Sequence, residues 1–379
     1  MSYKEIMSHK KYDICFLGGG VATAIHLLVH QEFFRSKKVL ILEKSSQFDR
    51  DKTICSFSKA DLPFLKTKKW WRFQAKTKLK QMSYDSKIPY QFLDLKELYD
   101  QLEKFLSENP NIEVEFNRAI SSFQEREPGF LIDEFEAEHI IDSRPLMIDQ
   151  EHWIQHFYGV EVEFEEDHLI HGPVIMDIDE SFKEGLKFYY LIPKSPRRLL
   201  VELTFFSAKV FEKEFYKKDL EAYLLENFSK KLNGVKEEFA QIPLVVIKPP
   251  EILPKNYHVI GCRAGNLRAS TGYSVWRSLL QSVERGPLPS LHQDLKWTFI
   301  QWMDEVFLRV LRARPDLAAM IFGIFLEKLK APSISSFMSE NPSWLSLSRV
   351  ILVMPWALFL RGLLTKKTMQ NSFSWRALD

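Results

Sequence analysis

Cysteine is scarce in this chain of 379 residues: Cys15, Cys55 and Cys262 are an odd number with no Cys-x-x-Cys spacing. Neither a disulfide framework nor a cysteine zinc site is therefore expected, no metal is implied, and a reducing cytosolic setting fits. Net charge is equally scant. A formal +2, with no basic run interleaved with aromatic residues, leaves no basis for a nucleic-acid partner. Long apolar runs are missing too: the longest, Val350 to Leu360, falls well short of the ~20 residues a spanning helix needs. The segment Met1 to Lys11 is polar and lacks the apolar centre of a signal peptide, so no membrane crossing is expected.

What the chain has is an ordinary globular balance, 45% hydrophobic and 27% charged, with an aromatic share of 13% that suits either a plain core or a large apolar cavity. Its length points to two or three structural units. The fold class expected is α/β, a doubly wound dinucleotide-binding domain of the Rossmann type with an inserted antiparallel sheet and a helical carboxyl-terminal region. The expected boundaries are residues 1–150 plus 240–290 for the nucleotide unit, 151–239 for the inserted sheet and its helix, and 291–379 for the helices. The last two assignments rest on alternating, aromatic-rich segments at 160–164, 174–178, 186–191 and 198–206, and on helical periodicity after Leu291.

The first chemical signal is a strand, a glycine turn, a helix and a second strand: Tyr12 to Leu17, Gly18-Gly19-Gly20, Val21 to His30, and Val39 to Leu42 ending at Glu43. A turn that carries a pyrophosphate needs glycine where the backbone bends and where it touches phosphate, and the following helix offers amide donors and a favourable dipole. Gly18 and Gly20 meet that need. Position 23 is Thr where a third glycine is usual, but Ala22 and Ala24 keep the helix close. Glu43 is placed for ribose hydroxyls and disfavours a 2′-phosphate, so FAD or NAD is expected there rather than NADP. A bare helix-packing turn would show the glycines without this context.

A second segment, Gly261-Cys262-Arg263-Ala264-Gly265-Asn266-Leu267-Arg268-Ala269-Ser270-Thr271-Gly272-Tyr273-Ser274, tips the choice to FAD. A late turn and helix of this kind can bring amides to the flavin and pyrophosphate, with Gly261, Gly265, Thr271 and Gly272 as candidates.

Taken in order, several stretches resemble one family, the lycopene cyclases. Lys52-Thr53-Ile54-Cys55-Ser56-Phe57 is similar to its His-Thr-Trp-Ser-Phe, and Ile140-Ile141-Asp142-Ser143-Arg144 to its Ile-Asp-x-Arg-Gly. Pro173 to Asp177 resembles Pro-x-x-Met-Asp. Leu191-Ile192-Pro193 through Glu202-Leu203-Thr204 resembles Leu-Pro-x-Ser followed by Glu-Asp/Glu-Thr, and Gly265 to Ser274 resembles Gly-x-x-x-Pro-x-Thr-Gly-Tyr-Ser. The resemblance implies acid-initiated ring closure at the ends of a linear polyene with no net redox change. It also implies reduced FAD stabilising the cation, NAD(P)H keeping the flavin reduced, and a lipophilic polyene as substrate.

Such chemistry needs an acid held protonated by desolvation and a wall of aromatic faces. Glu202 matches the family's essential carboxylate and stands in an unusually apolar strand, Arg198 to Phe206, sharing a face with Thr204. Without the resemblance it would read as a solvent-facing strand glutamate. Asp142 matches a second acid, with support of the flavin turn alongside Arg144 as its alternative role. The chain departs from the family at Leu203, where a second carboxylate is usual, at Pro145 in place of glycine, and at Arg268-Ala269 in place of His-Pro.

An apolar helix flanked by Arg349, Arg361, Lys366 and Lys367 fits shallow docking on an anionic membrane, giving a cytoplasmic protein peripheral to the membrane; a helical cap on the flavin domain would have the same composition. Two other functions share these fingerprints. One is an FAD-dependent monooxygenase or prenyl-lipid reductase, which needs no acid in the inserted sheet. The other is a non-catalytic flavin or lipid-binding homologue.

Overall fold

The computed structural model describes residues 9–62, 64–145, 152–229, 234–249, 252–290 and 294–364. Two sheets organise it. The first is built on the strand Lys10–Leu17, whose last four residues are apolar and buried and which pairs in parallel with Val39–Leu42 on one side and Phe135–Asp142 on the other. Ile112–Glu115 extends the parallel set beyond Val39–Leu42. Phe135–Asp142 divides its far edge, pairing through Phe135–Ala137 with the antiparallel strand Gly129–Ile132 and through Ile140–Asp142 with the short parallel strand Tyr257–Val259. The register brings Leu17, Leu42, Asp142 and Val259 to one line of carboxyl ends, the place where open parallel sheets bind ligands.

Helices Val21–Val29, Leu95–Glu108 and Val275–Arg285 cover one face of this sheet, joining Phe16, Ile25, Ile41, Leu98, Leu102 and Trp276 in one core. Asp94 caps the second of these by accepting from the Lys96 amide at 2.9 Å, a use of a short acidic side chain that fixes where the helix starts. The doubly wound α/β expectation holds.

The second sheet has eight strands in the order Gly234–Leu244, Trp153–Glu163, Arg198–Ser207, Gly185–Ser195, Val174–Asp179, Lys68–Lys76, Gln81–Asp94 and Thr53–Phe57. Its membership crosses the boundaries drawn at residues 150 and 240. The long hairpin 68–94 and the strand 53–57 come from the stretch assigned to the nucleotide unit, and the strand 234–244 straddles the second boundary. The helix expected with the inserted sheet is Lys213–Phe228.

Period-two alternation decides what each face of this sheet does. Leu199, Val201, Leu203 and Phe205 point with Tyr158 and Val160 toward helix Lys213–Phe228. Leu200 and Phe206 point the other way, into a core shared with the carboxyl-terminal helices Leu295–Ala313, Ala318–Lys328, Ala331–Phe337, Trp344–Val353 and Trp356–Leu364. The sheet also curls. Its first and last strands meet where the Thr53 amide donates to Glu238 Oε2 at 3.0 Å and Lys236 pairs with Asp51 at 3.4 Å.

Candidate active site

The curled sheet and the carboxyl-terminal helices enclose a cavity of about 440 Å³, within the size range of small-molecule sites. Phe188, Tyr190, Phe206, Tyr273, Phe307 and Phe322 supply much of its wall, and Glu202 and Thr204 enter it together from the Arg198–Ser207 strand. Aromatic faces are negative and receive a cation better than aliphatic surface does.

Glu202 is buried, and burial together with the neighbouring Glu238 carboxyl pushes its pKa well above the ordinary glutamate value. Lys194 pulls weakly the other way, its ammonium being engaged with Glu161 at 2.9 Å. Cys55 is half-buried beside the two carboxyls, and desolvation followed by their charge pushes its thiol pKa up. The hydroxyls of Tyr90 and Tyr273 lie against each other close by, both raised by burial. The arrangement places a carboxyl of raised pKa in an apolar, aromatic chamber.

Leu203 is fully buried on the opposite face, under helix Lys213–Phe228. A carboxylate at that position would point away from Glu202's cavity, so the departure there removes nothing from the chamber. The carboxyl beside Glu202 is that of Glu238, behind the cavity wall, which sequence reasoning did not single out.

Asp142 does not line this cavity. It is wholly buried at the end of its strand, where its oxygens accept from the Arg144 amide and guanidinium and from the Tyr257 hydroxyl, and Arg263 Nε stands 2.7 Å from Oδ2. Held by two arginines and a tyrosine, the Asp142 carboxyl ties its strand end to the late turn. Arg144 accordingly serves Asp142.

Around the first turn, a smaller cavity is lined by Gly20, Ala22, Ser143, Pro145, Gly261, Cys262, Ser274 and Val275. Two helix amino termini open onto it, Val21–Val29 and Val275–Arg285, and neither has a side-chain cap or an acidic residue in its first turn. Their amides remain available for an anion. A Cβ at Gly20 would meet nothing within 4 Å, so a ligand can approach the backbone there. Gly18 adopts φ +94°, with Ser143 Oγ 2.9 Å from where a Cβ would stand. These features fit a dinucleotide pyrophosphate. Glu43 is held by the amides of Gly19 and Ser45, at 2.7 and 2.8 Å, which fixes its carboxylate at the end of the second strand.

The later segment divides. Gly261, at φ +65°, packs so tightly on Ala22 that a Cβ would come within 2.7 Å of it. Thr271 and Gly272 face the large cavity, Gly272 lying against Gln155. Gly265 lines neither cavity; its carbonyl accepts from Trp297 Nε1 and Gln301, and its place is a packing one. Arg268 is buried, bound to the equally buried Asp304 and to the Phe337 carbonyl, which ties this segment to the carboxyl-terminal helices.

The chain has the fold of FAD-dependent oxidoreductases. Over 93% of its length the chain superposes on 98% of a geranylgeranyl bacteriochlorophyll reductase-like protein from Thermoplasma acidophilum (TM-score 0.63, 12% identity). Over 91% it superposes on 99% of pqsL, a probable FAD-dependent monooxygenase from Pseudomonas aeruginosa (TM-score 0.56, 9% identity). The family model for lycopene cyclase protein matches residues 13–361, so the chain belongs to the lycopene cyclase family. A lycopene beta-cyclase from Pantoea ananas is 24% identical over 173 residues, 43% of this chain and 45% of that protein. One from Paracoccus sp. (strain N81106 / MBIC 01143) is 43% identical over 53 residues, 14% of each. The chain thus aligns with less than half the length of either relative.

Proposed function

We propose that this protein closes rings at the ends of a linear carotenoid, of the lycopene type, by acid-initiated isomerisation. The observation that carries the proposal is Glu202, a buried carboxyl facing an aromatic cavity, its pKa raised by that burial. Glu202 donates its proton to the terminal double bond, the next double bond captures the cation, and loss of a proton completes the ring. The wall from Phe188, Tyr190 and Phe206 excludes water that would trap the cation as an alcohol. FAD would be held by the amides of the two uncapped helices with Gly20, Ala22 and Gly261, and in reduced form, maintained by NAD(P)H, it supplies negative charge that favours the cation. A redox flavoprotein would have no use for a neutral carboxyl so deep in the substrate side, which favours the cyclase reading over a monooxygenase, a reductase or a non-catalytic carrier.

The helices Trp344–Val353 and Trp356–Leu364 expose Trp344, Leu345, Leu352, Trp356 and Leu360, and Trp356 also lines the cavity. An exposed apolar ridge at the cavity wall supports peripheral docking on a membrane, from which a lipophilic polyene is drawn. Lys366 and Lys367 lie outside the described residues. Among the described residues no helix is long and apolar enough to cross a membrane.

The test is expression in cells that accumulate lycopene, comparing the native chain with Glu202→Gln by pigment chromatography. Cyclic carotenes with the native chain alone support the proposal; unchanged lycopene with a flavin-loaded native chain refutes it.

A further inference from the structure

Gly159 sits in the middle of a central strand, between Glu202 on one neighbouring strand and Glu238 on the other, in register with both. A Cβ there would lie 2.7 Å from Glu202 Cγ and 3.1 Å from Glu238 Cγ. The two carboxyl stems therefore close over the space a side chain would fill. Glycine inside a strand weakens it and marks a close approach, and here the approach is of two acids. Glu238 Oε2 takes the Thr53 amide, while its buried Oε1 meets no N–H or hydroxyl donor. Two carboxyls in such contact are stable when they hold one proton between them.

We infer that Glu238 is a positioning residue that shares a single proton with Glu202 across Gly159 and thereby keeps Glu202 charged with the proton it donates. The inference rests on the cyclase reading for its chemistry. Donation moves one proton from the pair to the polyene and leaves two facing carboxylates. Return of the proton lost by the ring cation restores the singly protonated pair, so the proton count is the same at the start and end of a turnover. Glu238 does not line the cavity and acts through Glu202. The carboxyl–carboxyl contact that raises the Glu202 pKa is consistent with this. The other titratable groups facing the pair are Cys55 from the strand Thr53–Phe57, Tyr90 from Gln81–Asp94, Tyr273 from the late turn, and Lys194 from Gly185–Ser195, whose charge is occupied by Glu161.

The experiment is infrared titration of the protonated-carboxyl band in the full, flavin-loaded chain without polyene, alongside the pH profile of cyclisation. Glu202→Gln identifies the band. Glu238→Gln removes the like charge and is expected to move the band's midpoint, and the alkaline limb of activity, down by about one pH unit or more, a tenfold effect at fixed pH on that limb. Gly159→Ala, which wedges a methyl between the stems, is expected to move both the same way; Glu238→Asp is expected to retain part of the raised midpoint. An unmoved midpoint in Glu238→Gln overturns the inference, and if that variant fails to fold, Gly159→Ala decides. A native chain that shows the coupled band yet cyclises no polyene refutes the cyclase reading and leaves the pair standing. Cyclisation with an uncoupled band does the reverse.

Discussion

Replacing Asp304 with alanine is expected to destabilise the fold by about 3–5 kcal/mol. The Arg268 guanidinium donates to Asp304 Oδ2 at 2.7 Å, and the two side chains are only 4% and 2% exposed, which places the pair in the buried regime rather than among surface ion pairs worth at most about 1 kcal/mol. Without Asp304, Arg268 keeps the Phe337 carbonyl at 2.8 Å and the Phe337 ring at 4.6 Å, neither of which neutralises its charge. The Ser270 amide, 3.3 Å from the same oxygen, also loses its acceptor. Against a total stability of roughly 5–15 kcal/mol this is a large loss. Removing both charges with Arg268→Met and Asp304→Leu relieves the buried cation and leaves chiefly the Phe337 carbonyl and Ser270 amide unpaired. The double variant is therefore expected within about 1–3 kcal/mol of the native chain. Denaturant unfolding of the native chain, Asp304→Ala and the double variant gives the two losses. A loss below about 1 kcal/mol for Asp304→Ala, or a double variant worse than the single, would refute the reasoning.

Gly20→Val is expected to leave the unfolding midpoint of the apo chain unchanged, because φ there is ordinary and the added carbons enter open space, while flavin affinity falls about tenfold or more; full flavin loading after purification would count against the site. Since folding raises the pKa of Glu202, the native state binds more protons than the unfolded chain above the ordinary glutamate range. Stability from this group is complete below that range and is lost as pH rises through the raised value, with a slope of at most about 1.4 kcal/mol per pH unit. The stability advantage of Glu202→Gln over the native chain is then expected to grow with pH, and parallel pH–stability curves would contradict it. His26, buried between Ser282 and the Pro287 carbonyl, has its pKa lowered by burial to about 3. The unfolded chain takes up that proton first, so stability falls as pH drops from about 6.5 toward 3, and His26→Gln is expected to flatten this part of the acid limb measured by fluorescence.

The glycine turn, the first parallel strands and the apolar strand around Glu202 could be read from the sequence because their signals are local: a period, a turn, an acid where none is expected. The alternation that put Glu202 and Thr204 on one face also put Leu203 on the other, and applying it to Leu203 would have removed any concern about a missing carboxylate. Glu238 was not legible. In Glu237-Glu238 it reads as an ordinary polar edge, and its partner is a residue on a strand two places away in the sheet. Gly159 offered a faint signal, a lone glycine in the aromatic strand His156 to Val162, but glycine alone does not say what approaches it. The hairpin 68–94 lacked clean patterning, since Trp71 is exposed while Ile88, Tyr90 and Gln91 are all buried, so its strands have no uniform period. The place of Asp142 at a strand end was legible, but its partners Tyr257 and Arg263 depend on the return of the chain at 257–263.

The bond from the Thr53 amide to Glu238 joins residues 185 positions apart. On the ribosome, the amino-terminal parallel strands can pair long before Glu238 emerges, but the chamber around Glu202 cannot exist until the last strand of its sheet has been made. A nascent or truncated chain can thus have the first glycine turn and no closed chamber, and the slowest step of folding is expected to be the closing of that chamber rather than the pairing of the amino-terminal parallel strands.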